Sequence, residues 1–287
     1  TYRKTSDMIE INDLAYSYSR KKEQYALKNI SMTLEDGHIY GLLGENGVGK
    51  TTLLTLLCGL KKPNSGTITI DGFTPFNREP SFLSSVYYLQ DEVYSEPMSA
   101  IDFAVRNGTM REHFSLDTFK ELMTLFEVRL EQRMDKMSLG QLKKTHISFA
   151  LACRTKYLFM DEPTNGIDIP SKAQFRAALT RYTREDATII ISTHQVRDLE
   201  NVIDPLIILN CQQVLLNASL KEISEKLFFD YGNEIKSGSL YSEMIPGGCV
   251  QVFLNTSEQE SKVNIEALFN TVNMHKDIIW KLFEKQS

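Results

Sequence analysis

Ile39-Tyr40-Gly41-Leu42-Leu43-Gly44-Glu45-Asn46-Gly47-Val48-Gly49-Lys50-Thr51-Thr52 reads as a strand, a loop and the start of a helix. The apolar run over residues 39–43 is too short for a helix and fits a buried strand. Gly44–Thr51 satisfies G-x-x-x-x-G-K-[ST] throughout, and leucines at 53, 54, 56, 57 and 60 predict a helix buried around most of its circumference. Strand, glycine-rich loop and helix together gather backbone N–H groups and a positive helix N-terminus around phosphate oxygens. In such a cradle, built from Gly44, Glu45, Asn46, Gly47, Val48 and Gly49 with Thr52 at its rim, Lys50 reaches the β and γ phosphates and Thr51 can hold Mg²⁺.

Further along, Tyr157-Leu158-Phe159-Met160-Asp161-Glu162 is an apolar strand closing on two carboxylates. At the C-terminal edge of a doubly wound sheet, Asp161 can reach the metal beside Thr51, and Glu162 can orient or deprotonate an attacking water. Strands are also predicted at Thr67–Asp71, Val86–Leu89, Thr188–Ser192 and Leu206–Leu209, with helices at Gln141–Ala152, Ser171–Tyr182 and Gln195–Val202. That alternation implies an α/β fold with a mainly parallel sheet covered by helices. The charged, helically spaced stretch from Ser99 to about Met137 reads as a helical insertion. Beyond Asn217, Leu220–Phe229 is amphipathic, Cys249–Leu254 is strand-like, and Ile265–Phe269 and Ile278–Phe283 read as short helices. The expected division is a nucleotide-binding domain over 1–218, with a helical subdomain near 91–140, and a small α/β extension over 219–287.

A hydrophobic fraction of 42% and a charged fraction of 24% are those of an ordinary folded chain. The net charge of −5 and the lack of a long Lys/Arg block argue against nucleic acid as the main partner. Runs such as Ala187–Ile191 fall far short of the roughly 20 residues needed to cross a bilayer. Thr1–Ile11 shows no apolar core of a secretory signal. Cys58, Cys153, Cys211 and Cys249 are widely separated and suggest neither zinc nor a disulfide framework.

Ser138-Leu139-Gly140-Gln141, preceded by Met137 and placed after the helical insertion, resembles the LSGGQ signature of ABC transporter ATPases, with Leu139 where the family has its first glycine. Gln90 resembles the family's Q-loop glutamine, which touches Mg²⁺ and transmits its state to a permease. Asn165-Gly166-Ile167-Asp168 resembles the D-loop at the dimer interface, and His194 the switch histidine that contacts the γ-phosphate. Tyr18 lies where the family stacks an aromatic on adenine, with Tyr16 as the competing candidate.

The resemblance covers roughly Ile9–Ala218. It implies an ABC-type P-loop cassette with an antiparallel β subdomain, binding ATP and Mg²⁺ and hydrolysing ATP with Glu162, His194 and Lys50. Two cassettes would close head to tail, so that Ser138, Gly140, Gln141 and Asp168 complete the site of a second chain. The leading expectation is the energy-coupling subunit of a transporter, a homodimer held on the cytoplasmic face of the membrane by a separate permease and leaning toward export. A soluble ABC ATPase acting on ribosomes, DNA or cofactor assembly, and a nucleotide switch without turnover, are the other classes. The apolar residues Leu227, Phe228, Phe229, Leu268, Phe269, Trp280 and Phe283 would cover their own cassette or meet a twin.

Overall fold

The computed structural model describes residues 8–19, 25–256 and 259–283. Its first half runs β1 (Met8–Tyr16), β2 (Leu27–Glu35), β3 (Ile39–Leu43), α1 (Lys50–Leu57), β4 (Ser65–Ile70), α2 (Pro80–Ser85), β5 (Val86–Leu89), α3 (Ala100–Gly108) and α4 (Leu116–Leu125). Then come α5 (Leu139–Ala152), β6 (Tyr157–Asp161), α6 (Ile169–Tyr182), β7 (Thr188–Thr193), β8 (Leu206–Asn210) and β9 (Gln213–Ala218). The chain continues through α7 (Leu220–Lys226), β10 (Leu227–Gly232), β11 (Tyr241–Ile245), β12 (Gly248–Leu254), α8 (Ile265–Met274) and α9 (Lys276–Phe283).

The main sheet has the order β5-β6-β7-β3-β8-β9, parallel except for the edge strand β9. Parallel strands buried on both faces carry apolar residues at successive positions, and here successive residues serve opposite layers. Leu158, Met160, Ile189, Ile191, Leu206 and Ile208 face the layer of α5, α6 and the helical insertion. Tyr157, Phe159, Ile190, Ile207 and Leu209 face α1 and the antiparallel sheet β2-β1-β4. Truncating Phe159, which is fully buried, would cost about 3–5 kcal/mol by the usual scale for a core aromatic.

Because β3, β6 and β7 run parallel and in register, Leu43 lies opposite Thr193 and Asp161 opposite Ser192. The carboxyl ends of three adjacent central strands therefore open on one place, the edge at which doubly wound sheets take their ligands.

Two sequence expectations are corrected. Gln195–Val202 is not a helix; only Val196–Asp198 forms a single 3₁₀ turn. Leu199 and Ile203 are drawn into the core on the short path to β8, and Pro205 disfavours helical geometry at the residue before it. Leu220–Phe229 likewise splits: α7 ends at Lys226, and Leu227, Phe228 and Phe229 pair with Leu254, Phe253 and Val252 of β12. Aromatic and alternating burial favours the strand there.

After Ala218, the antiparallel sheet β10-β12-β11 packs with α8 against the cassette. Leu227, Phe229 and Leu268 share one continuous core with Leu206, Ile208 and Leu216, whereas Trp280 remains 48% exposed. Leu227, Phe229 and Leu268 thus cover their own cassette. Arg197, just past β7, donates to Glu266 Oε2 of α8 at 2.8 Å (Nε). Cys58, Cys153 and Cys249 are buried and Cys211 is exposed. Cys211 and Gln212, both at positive φ, make the two-residue turn between β8 and β9, and Gln212 O accepts from Lys28 N at 2.9 Å. No helix among the described residues is long and apolar enough to cross a membrane.

Candidate nucleotide site

The loop between β3 and α1 takes its shape from its glycines. Gly47 and Gly49 have φ of 81° and 114°, and a Cβ on Gly49 would lie 2.7 Å from Ala26 O and from Leu27 Cδ2. The loop curls around the Lys50 ammonium, which donates to Gly44 O at 2.8 Å and Glu45 O at 3.3 Å and lies 3.4 Å from Glu162 Oε1. Lys50 is 6% exposed, so its charge acts with little solvent between it and its partners.

Asp161, at the end of β6, receives the Thr51 hydroxyl on Oδ2 and the Ser192 hydroxyl on Oδ1, each at 2.5 Å. Tyr88 adds a longer bond to Oδ2 at 3.4 Å. Burial and the nearby Asp161 charge push the Tyr88 phenol well above its ordinary pKa, which keeps it a donor. A hydroxyl and a carboxylate in direct contact, both hard oxygen ligands, are the donor set a magnesium ion prefers.

Glu162 sits one residue beyond the strand with φ 45°, a left-handed conformation that is uncommon for a side chain of its size. Its N–H donates to Ser192 O at 3.1 Å and Ser192 Oγ at 3.0 Å. Its carboxylate bridges Lys50 and His194, with His194 Nδ1 2.9 Å from Oε2. Lys50, Thr51, Asp161, Glu162 and His194 are thereby brought into one cluster. Tyr18, Ala26, Asn46, Gly47, Gly49, Lys50, Thr51, Thr52, Asp91, Asp161 and Glu162 line an open cleft of about 330 Å³.

Between the two tyrosine candidates, Tyr18 borders this cleft and Tyr16 stands behind it, edge-on to Tyr18 at a ring separation of 5.1 Å. Tyr18 OH bonds to Thr52 Oγ1 at 2.8 Å and accepts from Lys61 Nζ at 3.0 Å. Partial burial works to raise its pKa, but the bonds from Lys61 and Thr52 and the Lys61 charge outweigh it, leaving the phenol below its ordinary value.

The remaining predicted residues are not gathered here. Gln90 is exposed at the end of β5, one residue past Leu89, which pairs with Met160 beside Asp161. Ser138 and Gln141 form a capping box on α5, in which Gln141 N donates to Ser138 Oγ at 3.2 Å and Ser138 N to Gln141 Oε1 at 3.0 Å. Asp168 caps α6 by accepting from Ser171 N at 2.8 Å, and its hydrogen bonds from Ser171 hold its pKa below the ordinary value. Ser138, Leu139, Asp168 and Ile169 are exposed, and none of them lines the cleft around Lys50.

Sequence reasoning passed over Ser192, Tyr88 and Lys143. Ser192 carries a faint signal as the first polar residue after three isoleucines. Tyr88 and Lys143 look like ordinary strand and helix residues.

Residues 27–165 match the family profile described as ABC transporter. Over 233 residues the chain is 32% identical to the energy-coupling factor transporter ATP-binding protein EcfA2 of Ligilactobacillus salivarius (strain UCC118), covering 75% of this chain and 80% of that one. The chain belongs to the ABC transporter ATP-binding proteins. Another relative of this ABC subunit is the methionine import ATP-binding protein MetN of Protochlamydia amoebophila (strain UWE25), 28% identical over 75% of this chain and 67% of that one. A solved structure, the ATP-binding subunit of an ABC transporter, shares its fold with a TM-score of 0.67 at 22% identity, covering 75% of this chain and 91% of the other. As an ABC ATP-binding subunit, the protein is an ATPase whose hydrolysis powers transport through membrane permease subunits.

Proposed function

We propose that ATP is hydrolysed in the cleft around Lys50, with Glu162 as the carboxylate that orients and deprotonates the attacking water. The single observation that carries the reading is the placement of the Glu162 carboxylate between Lys50 Nζ at 3.4 Å and His194 Nδ1 at 2.9 Å. Lys50 neutralises phosphate charge, and the loop N–H groups fix the phosphates in line with the water. His194 holds Glu162 and would contact the γ-phosphate. Thr51 and Asp161, with Gln90 at the neighbouring strand end, would hold Mg²⁺, which offsets charge on the β and γ oxygens. Tyr18 offers the adenine a flat ring at the cleft mouth.

The exposed Ser138 and Asp168, with the half-buried Gly140 and Gln141 beside Ser138, support a head-to-tail homodimer in which they complete the partner's site. Hydrogen bonds from the signature to a γ-phosphate make closure depend on ATP rather than ADP. The permease would hold the pair on the cytoplasmic face, and residues 1–218 and 219–287 would divide as cassette and extension. Export remains the proposed direction, while one relative is named for import; ATP-driven flux in vesicles carrying the permease decides it.

Replacing Glu162 by Gln keeps the shape but removes the base. Turnover should fall by a factor of about 10² to 10⁴, and size-exclusion chromatography with ATP and Mg²⁺ should show a stable dimer. A monomer at saturating ATP, or unaltered turnover, would sink the proposal. For Lys50→Ala, calorimetry should show ATP affinity reduced by at least about tenfold, the loss of one buried charge-assisted contact.

A further inference from the structure

Lys143 is a buried cation on α5, five residues past Ser138, with its side chain 5% exposed. Its ammonium has three protons and three acceptors: Asp91 Oδ1 at 2.7 Å, Asn165 O at 2.7 Å and Glu162 O at 3.2 Å. These acceptors belong to three segments of the site. Asp91 follows Gln90 and lines the nucleotide cleft, Glu162 follows the metal-side carboxylate, and Asn165 opens the turn that leads to Asp168.

The contact to Glu162 has the clearest chemical consequence. Glu162 is left-handed, at φ 45°, and its carboxylate points correctly only while its peptide keeps that conformation. Ser192 holds the N–H side of the residue, and Lys143 holds the carbonyl side. Asp91 supplies the counter-charge that makes a buried ammonium tolerable, so a movement of the segment after Gln90 changes how Lys143 is satisfied. One turn further along α5, His146 Nε2 lies 2.7 Å from Tyr94 O, a second tie between the helix and the same segment.

We propose that Lys143 is a positioning residue for hydrolysis, fixing the Glu162 peptide and linking it, through Asp91, to the segment that follows Gln90. The inference rests on the assignment of Glu162 as the hydrolytic carboxylate. Lys143 touches neither nucleotide nor water in this scheme; it acts through Glu162.

The test uses the purified full chain with ATP and Mg²⁺, comparing wild type, Lys143→Met, Asp91→Asn and the double variant. Lys143→Met should lower kcat by at least about tenfold, the usual consequence of misplacing a catalytic group. Its ATP dissociation constant, measured by calorimetry, should stay within about twofold of wild type, since the interaction lost serves only the chemical step. Asp91→Asn should lower kcat by a smaller factor in the wild-type background and leave it unaltered in the Lys143→Met background, because both changes cut one linkage.

A wild-type kcat in Lys143→Met, an equal loss in ATP affinity, or effects of the two substitutions that multiply would each overturn the inference. If Lys143→Met does not yield folded protein, Asp91→Asn alone decides, and an unaltered kcat overturns it. Glu162→Gln separates the two failures: if that variant turns over like wild type, the reading of Glu162 falls. If it is inactive while Lys143→Met is fully active, only the role of Lys143 falls.

Discussion

Leu139 shows how a departure from a family pattern is judged at the scale of one residue. It occupies the first position of α5, outside the positive-φ residues, and its side chain is 63% exposed, so the leucine strains nothing that a glycine would relieve. Leu139→Gly should leave steady-state ATP turnover within about threefold and, by loosening the helix start, lower thermal stability by about 0.5–1 kcal/mol. A gain of an order of magnitude in turnover would show that the leucine obstructs the composite site. At this scale the phosphate loop, Asp161 and Glu162 were legible because their chemistry demands particular residue types at fixed spacing. Lys143 was not, since a lysine in a helix ordinarily marks a solvated face and only the fold turns it inward.

Helix α5 carries the signature at its start and His146 in its buried middle. His146 is 2% exposed and its Nε2 donates to Tyr94 O at 2.7 Å; burial holds its pKa below the ordinary value and so favours the neutral ring, against the opposing pull of that hydrogen bond. Above about pH 6.5 the ring is neutral in both folded and unfolded chains and adds no pH dependence. As pH falls below that value the unfolded chain takes up a proton that the folded one resists, so stability declines toward the depressed folded pKa. Denaturant unfolding at about pH 7.5 and about pH 5.5 should therefore show a drop that shrinks in His146→Gln. An identical drop in the variant would remove His146 as a source. Helix α6 and strand β7 could be read from the sequence to within two residues. The stretch after His194 and the junction at Leu227 could not, because short apolar runs satisfy helix and strand alike until a pairing partner such as β12 is known.

Across the whole molecule, one core runs through the sheet and into the strands and helices after Ala218. Leu268 is fully buried in α8, and Leu268→Ala should cost about 2–5 kcal/mol. Because Leu268 belongs to the shared core, calorimetry should still show a single unfolding transition, shifted down; a separate early transition would mean that the extension melts alone. The parallel sheet with its helical cover was foreseeable from alternating elements, whereas packing of the extension on its own cassette was one of two alternatives the sequence left open, since long-range pairings leave no local mark on sequence. The turn between β8 and β9 has a practical side as well. It displays the one exposed thiol, Cys211, while the other three cysteines are buried, and it is hydrogen-bonded to Lys28, two residues beyond Ala26 in the wall of the cleft. The native chain thus carries its own selective attachment point for a maleimide fluorophore, on a hairpin fastened to the rim of the nucleotide cleft.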